Sequence, residues 1–361
     1  MKKQITLLFF LLMLCGFIAC TRKNTSTQNE KIVGQTSEKT QNDFGDTFHM
    51  LMSKADTVVV NDDSVSFKDD SGRSEPLTIK KQPKRVAVLY GSHSALWIEC
   101  GGTVSIGVGG TSAIELYQEQ IGRDITQDAG FIKVADSSSG TTWDIEAIIA
   151  ANPDLIICST AMKGYQVISS PAVQMNIPVI AVTYNGIKDY LKWAKVFTAL
   201  NNREDLFAEN AMKVAQGVAA IIDAVPENKK VRALSLLPNA KAVKLNMPDS
   251  NIGGMLTDLK ATNVAERMRT NMQIPRIEMN IEQLYKVNPE IILIQVQQSE
   301  DFVKKFLEAS FSSNPIWNEV DAVKKNRVYF LPKRLFHFRP NKDYLEAYKM
   351  LAELLYPGVT F

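Results

Sequence analysis

Tyr90, Ser92 and His93 come directly after an apolar run, Arg85-Val86-Ala87-Val88-Leu89-Tyr90, whose composition is that of a buried strand. Ser159 and Thr160 stand in the same relation to Leu155-Ile156-Ile157-Cys158, and Tyr184 and Asn185 to the run ending at Val182. In the second half of the chain Asn239 and Lys241 follow the run ending at Leu237, and Gln297 and Gln298 follow Val296. Arg334, His337 and Arg339 follow Leu331. Open α/β sheets bind ligands outside the carboxyl ends of their strands, so these are the positions placed to touch one. Their types suit binding. Neutral imidazole at His93 or His337 is a ligand for a transition metal or haem iron. Tyr90 and Tyr184 suit ligation of haem iron or stacking on a flat macrocycle. Arg334 and Arg339, with Lys333, suit carboxylates and other anionic oxygens. The plainer alternatives are ordinary hydrogen-bonding loop residues and a solvated basic strip.

Reaction chemistry has a weaker footing. Gly107-Val108-Gly109-Gly110 follows a strand candidate, but Ser112 stands where the last glycine of a dinucleotide fingerprint belongs. The sequence contains no GxxxxGK[ST] phosphate loop, no HExxH and no GxSxG. Gly91-Ser92-His93-Ser94 places serine beside histidine in sequence, which does not make a catalytic pair in space. Beyond the first twenty residues only Cys100 and Cys158 occur, each ending an apolar stretch and expected to be a buried small hydrophobe. A metal-dependent enzyme is the lesser alternative.

The leader explains where such a binder works. Lys2 and Lys3 precede an apolar run from Ile5 to Ala19, too short for a bilayer span of about 20 residues and suited to an export signal. Phe17-Ile18-Ala19-Cys20 resembles the bacterial lipobox, in which the cysteine is lipidated and becomes the mature N-terminus, with Phe17 in place of the usual leucine. Without Lys2 and Lys3 the chain carries 39 basic and 39 acidic residues, so charge gives no case for nucleic acid or an anionic membrane surface. Residues 21–57 are polar and expected to form a flexible tether that includes His49. An N-terminal hairpin is expected over 58–83.

From Lys84 onward strands alternate with helices, which predicts an α/β fold with mostly parallel sheets and helices on both faces. Gly91-Ser92-His93-Ser94 reads as a turn before a short helix over 95–100, and Leu256 to Ala265 as another helix. A lobe over 84–202 should connect through one long helix, Glu204 to Ala224 within 203–226, to a second lobe over 227–361. The halves repeat. Asp144-Ile145-Glu146 through Asn152-Pro153-Asp154-Leu155-Ile156-Ile157 recurs, at an offset of 136, as Asn280-Ile281-Glu282 through Asn288-Pro289-Glu290-Ile291-Ile292-Leu293.

With the opening Lys84-Arg85-Val86 and the tail Ala347-Tyr348 to Leu355-Tyr356-Pro357, these segments make the chain similar to the substrate-binding proteins of the vitamin B12 and ferric-siderophore ABC importers. The likeness covers about residue 58 to the end. Lys260-Ala261-Thr262-Asn263 departs from it, where the family commonly has Gly-Gly before the asparagine. The resemblance implies two Rossmann-like lobes joined by one long helix, with the ligand in the cleft between them. It implies no intrinsic cofactor and a ferric siderophore, haem or corrinoid as the bound molecule. His93 and His337 would then lie in opposite lobes near the cleft. The implied partners are a permease and ATPase complex, with a lipid anchor as the only membrane contact and a monomeric protein in the periplasm or on the cell surface. Glu146 and Glu282 match the two glutamates that family members dock on permease arginines. Their alternative is a carboxylate near a helix N-terminus, worth about 0.3–1 kcal/mol to the helix. A surface lipoprotein that binds haem or a protein without a transporter is the other reading.

Overall fold

The computed structural model describes residues 45–137, 142–160, 164–239, 241–269, 276–312 and 314–361. The export signal, Cys20 and the tether up to residue 44 lie outside the described residues. The expected tether does not reach residue 57. A helix, Asp46–Met52, buries Phe48, Leu51 and Met52, and a 3-10 turn, Ala55–Thr57, buries Ala55. Positions 48, 51, 52 and 55 share one helical face, a period hidden by the polar composition around it. So short a helix is marginal alone, and it is held by packing on helices Ile187–Leu200 and Lys213–Ala224.

Strands β1 (Val59–Val60), β2 (Ser64–Phe67) and β3 (Leu77–Lys80) form an antiparallel sheet in that order, one strand more than the expected hairpin. The chain then forms a five-stranded parallel sheet of β4 (Val86–Val88), β5 (Ile106–Val108), β6 (Ile132–Ala135), β7 (Leu155–Ser159) and β8 (Val179–Val182). Their order is β6-β5-β4-β7-β8, and continuous apolar strands suit a sheet covered on both faces. The free edge of β8 is closed by two aspartates. Asp69 accepts from the Ala181 N–H at 3.0 Å and Asp70 from the Thr183 N–H at 2.6 Å. Gly91–Ser94, expected as a turn, is the first turn of a helix, Gly91–Glu99, that starts directly after Tyr90.

The second sheet contains β9 (Arg232–Pro238), β10 (Val243–Asn246), β11 (Thr262–Asn263), β12 (Arg276–Glu278), β13 (Ile291–Gln295) and β14 (Val328–Leu331). Its order is β12-β10-β9-β13-β14, with β11 also beside β9. Pairs β9/β13, β13/β14 and β9/β11 are parallel, whereas β10 runs antiparallel to both β9 and β12. The helix expected over 256–265 is displaced toward the N-terminus, to Asn251–Asp258, because the Ser250 hydroxyl caps the Gly253 N–H at 3.1 Å. Lys260 then adopts a φ of 57° and the chain enters β11.

Between the sheets residues 204–224 form one helical run, with a π turn over Phe207–Met212. The sequence repeat is a repeat of structure. Helix Ile145–Ala150, a left-handed Asn152 and β7 are matched by helix Ile281–Val287, a left-handed Asn288 and β13. Cys100 and Cys158 are both buried free thiols.

Candidate functional site

A cavity of about 510 Å³ opens where the carboxyl ends of the two sheets face one another. That is within the usual size of small-molecule sites. The first sheet contributes Tyr90 and Ser92 after β4, Ser112 after β5 and Asp136 after β6. The second contributes Leu237 at the end of β9, Arg276 on β12, Gln297 after β13, and His337 and Arg339 after β14. Gly110, between β5 and the helix Thr111–Ile121, has a steric reason to be glycine: a Cβ there would lie 2.0 Å from the Asp136 carbonyl oxygen.

The cavity wall is cationic. Arg276 donates through Nε to Asn246 Oδ1 at 3.0 Å, and burial and the nearby Arg339 charge lower its pKa. Among the described residues no carboxylate pairs with Arg276 or Arg339. Asp136, an acidic group on the wall, is taken by Lys133 at 3.0 Å. His337 is pushed down to about 4 by burial and by Lys333, Arg276 and Arg339, so it is neutral at pH 7. It offers a nitrogen lone pair beside two guanidinium groups.

Other expected residues occupy different surroundings. His93 is 1% exposed, and among the described residues neither ring nitrogen has a hydrogen-bond partner. Its ring lies 4.7 Å from that of Tyr90 and 6.4 Å from that of Tyr184. Burial, then the Arg339 charge, pushes its pKa down to about 3. Tyr184 is buried behind the wall, donating to Asn341 Oδ1 at 2.9 Å while the Arg339 guanidinium lies 5.5 Å from its ring centroid. Gln120 donates to the Arg339 carbonyl oxygen and the Lys342 N–H to Glu99 at 3.3 Å, so a segment from the second half of the chain is pinned to the first.

Ser159 is buried at the end of β7, and Thr160 shares a 2.6 Å hydrogen bond with Thr183. The Asn185 N–H is held by Asp189. Asn239 accepts from the N–H groups of Lys241 and Ala242, which makes this stretch the tight turn joining β9 to β10. Gln298 is exposed, and Arg334 is paired with Asp343 and Glu346. None of these is on the cavity wall. Ser112, Asp136, Leu237 and Arg276 line the cavity without having been expected there; Arg276 carries no signal in sequence because β10 and β12 lack the long apolar runs of the parallel strands. Among the described residues no group of three or more His, Cys, Asp or Glu side chains is placed to hold a metal ion.

Glu146 and Glu282 are exposed in the first turns of the two repeated helices. The caps are made by their neighbours: Asp144 accepts from the Ala147 N–H at 2.9 Å, and Asn280 from the Glu282 N–H at 2.8 Å. Among the described residues neither glutamate pairs with a basic side chain.

The sequence profile of the family described as periplasmic binding protein matches residues 86–335. The Fe(3+)-citrate-binding protein YfmC of Bacillus subtilis (strain 168) is 24% identical over 274 residues, 74% of this chain and 78% of that protein. The high-affinity heme uptake system protein IsdE of Staphylococcus aureus (strain MRSA252) is 38% identical over 80 residues, 22% of this chain and only 27% of that protein. The structure of S. aureus IsdE complexed with heme superposes with a TM-score of 0.60 at 19% identity, covering 75% of this chain and 98% of that one. An ABC transporter substrate-binding protein from Listeria monocytogenes EGD-e gives 0.60 at 19% identity, covering 76% and 99%.

Proposed function

This chain belongs to the periplasmic binding protein family, and from that premise we propose that it is the extracytoplasmic solute-binding component of an ABC importer, carrying an anionic metal chelate between its two lobes. The observation that carries this reading is the pair of arginines, Arg276 and Arg339, on one cavity wall with no carboxylate partner among the described residues. Two such cations are best satisfied by a ligand that brings negative oxygens, as ferric citrate, an anionic ferric siderophore or the propionates of haem do. A bare cation would be repelled. A corrinoid, with few anionic groups, would leave at least one guanidinium unpaired. His337, neutral in this field, is available to the chelated metal or to a polar edge of the ligand. Tyr90 and Ser92 face it from the other lobe.

Docking on the permease falls in this reading to Glu146 and Glu282. Their exposure, and the assignment of capping to Asp144 and Asn280, leave two carboxylates free for transporter arginines. Attachment at Cys20 would hold the protein at the membrane bearing that permease. The role is tested by deleting the gene and growing the cells under iron restriction with ferric citrate, a ferric tris-catecholate or hemin as the only iron source. Loss of growth on one of these, restored by the intact gene, is expected. Unchanged growth on all three would count against the reading.

A further inference from the structure

The second sheet carries a chain of polar side chains where its geometry calls for apolar ones. On one face of β13, Ile291 and Leu293 are followed by Gln295, and on the neighbouring β9 Ala233 is followed by Ser235. Asn246 ends β10 directly opposite Arg276 of β12. Ser235 and Asn246 are 0% exposed and Gln295 is 3% exposed. Burying amides is unfavourable unless every polar atom is satisfied, and apolar side chains of similar shape would stabilise the sheet at least as well. These residues are therefore not explained by stability.

Their hydrogen bonds run in one direction. A guanidinium only donates, so Asn246 must turn its carbonyl oxygen to Arg276 Nε, at 3.0 Å. That aims the Asn246 amide nitrogen at Ser235 Oγ, at 2.9 Å, and at Gln295 Oε1, at 3.1 Å. Gln295 is then oriented in turn, and its amide nitrogen donates to the carbonyl oxygen of Phe336. Asn263 braces this strand by donating through its side-chain amide to the backbone carbonyl oxygen of Asn246 at 2.9 Å. Phe336 is the residue before His337, at the end of the helix Lys333–Phe336 from which the chain passes along the cavity wall to Arg339.

We infer that Asn246 and Gln295 are positioning residues for the ligand cleft. Their buried relay fixes Arg276 at one end and, at the other, the segment that carries His337 and Arg339. One rigid hydrogen-bonded chain thus sets the spacing of the two cationic ends that meet the ligand. The inference rests on the cleft being the chelate site.

The test is a double-mutant cycle on the whole protein, titrated with ferric citrate, a ferric tris-catecholate and hemin while tryptophan emission is followed. Arg276→Met should weaken binding of the preferred chelate. Asn246→Leu should weaken it by about tenfold in the unsubstituted protein and by a clearly smaller factor, about threefold, in the Arg276→Met background, because only its effect through Gln295 remains there. Gln295→Met, which keeps side-chain length, should also weaken binding by about tenfold and covers the case in which Asn246→Leu does not fold. A purely structural role predicts instead a lower melting temperature with unchanged affinity, or equal losses in both backgrounds, and either result overturns the inference. Failure of both variants to fold would make the relay a requirement of the sheet and would overturn it too. An Arg276→Met variant with full affinity, or no binding of any probe by the unsubstituted protein, would instead bring down the reading of the cleft itself.

Discussion

Asp154 and Glu290, 136 residues apart, close the same joint in the two lobes. The N–H of Asp154 donates to the Arg85 carbonyl at 3.0 Å, and that of Glu290 to the Arg232 carbonyl at 2.8 Å. Each carboxylate reaches back to the start of the neighbouring strand. Asp154 accepts from the N–H groups of Lys84 and Arg85, and Glu290 from that of Arg232. In both lobes an acid after Asn-Pro thereby aligns the first strand with the one that follows the repeated helix.

Removing these joints should cost stability and leave binding untouched. Asp154→Ala and Glu290→Ala are each expected to destabilise by about 0.5–2 kcal/mol, the range for a partly exposed hydrogen-bonded carboxylate. With no shared partner, the two losses should add. Urea denaturation of both single variants and the double variant measures this, and chelate affinity should not change.

Arg339 should act through charge. Arg339→Gln is expected to weaken an anionic chelate by about 10–100-fold, the worth of one or two charge-assisted hydrogen bonds. The unsubstituted protein should lose affinity as salt rises, and the variant should lose less. Titrations at two ionic strengths give both numbers.

The exposed glutamates should separate capture from delivery. Glu146→Ala combined with Glu282→Ala should leave the chelate dissociation constant unchanged and abolish uptake by whole cells. Binding measured on purified protein, alongside uptake of iron-55 chelate, tests the pair; a large loss of ligand affinity would contradict the docking role.

His93 makes an acid-stability prediction. Its folded pKa of about 3 lies below the ordinary value of 6.5, so between those limits the unfolded chain binds the extra proton. The stability associated with a neutral His93 is therefore complete above about pH 6.5 and is lost as pH falls toward 3, by about 1.4 kcal/mol per pH unit. His93→Phe removes this titration and keeps an aromatic ring beside Tyr90 and Tyr184. Denaturation midpoints from pH 7 to 5 should fall more steeply for the unsubstituted protein than for the variant, whereas parallel curves would contradict the assignment.

The lobes were legible because their strands are continuous apolar runs and because Asn-Pro is repeated in register. Tyr90, Ser92, Gln297, His337 and Arg339 were reachable by the rule that loops after parallel strands line a cleft. That rule failed for Ser159, Thr160 and Asn185, which end or follow parallel strands but lie off the cavity wall, and again where the second sheet departs from parallel order. Asn239 and Lys241 follow a strand but belong to an antiparallel turn, and Arg276 enters the cleft from a short edge strand that no apolar run announces. Composition also misled over Asp46–Met52, whose buried face is only three residues, Phe48, Leu51 and Met52, in a polar stretch. Tyr184 stands after its strand as expected, yet Asn341 covers it, and a contact between residues 157 positions apart leaves no local trace in sequence.

The most direct measurement is titration of the purified protein with ferric citrate, a ferric tris-catecholate, hemin and cyanocobalamin, followed by tryptophan quenching and by thermal melting. Saturation by one of the three anionic iron chelates is expected, with weaker or no binding of cyanocobalamin. At about 100 times its dissociation constant that chelate should add about 2.7 kcal/mol of stability. Preference for cyanocobalamin, or a cooperative melt unmoved by any of the anionic chelates, would contradict a cleft built around Arg276 and Arg339 for an anionic iron chelate.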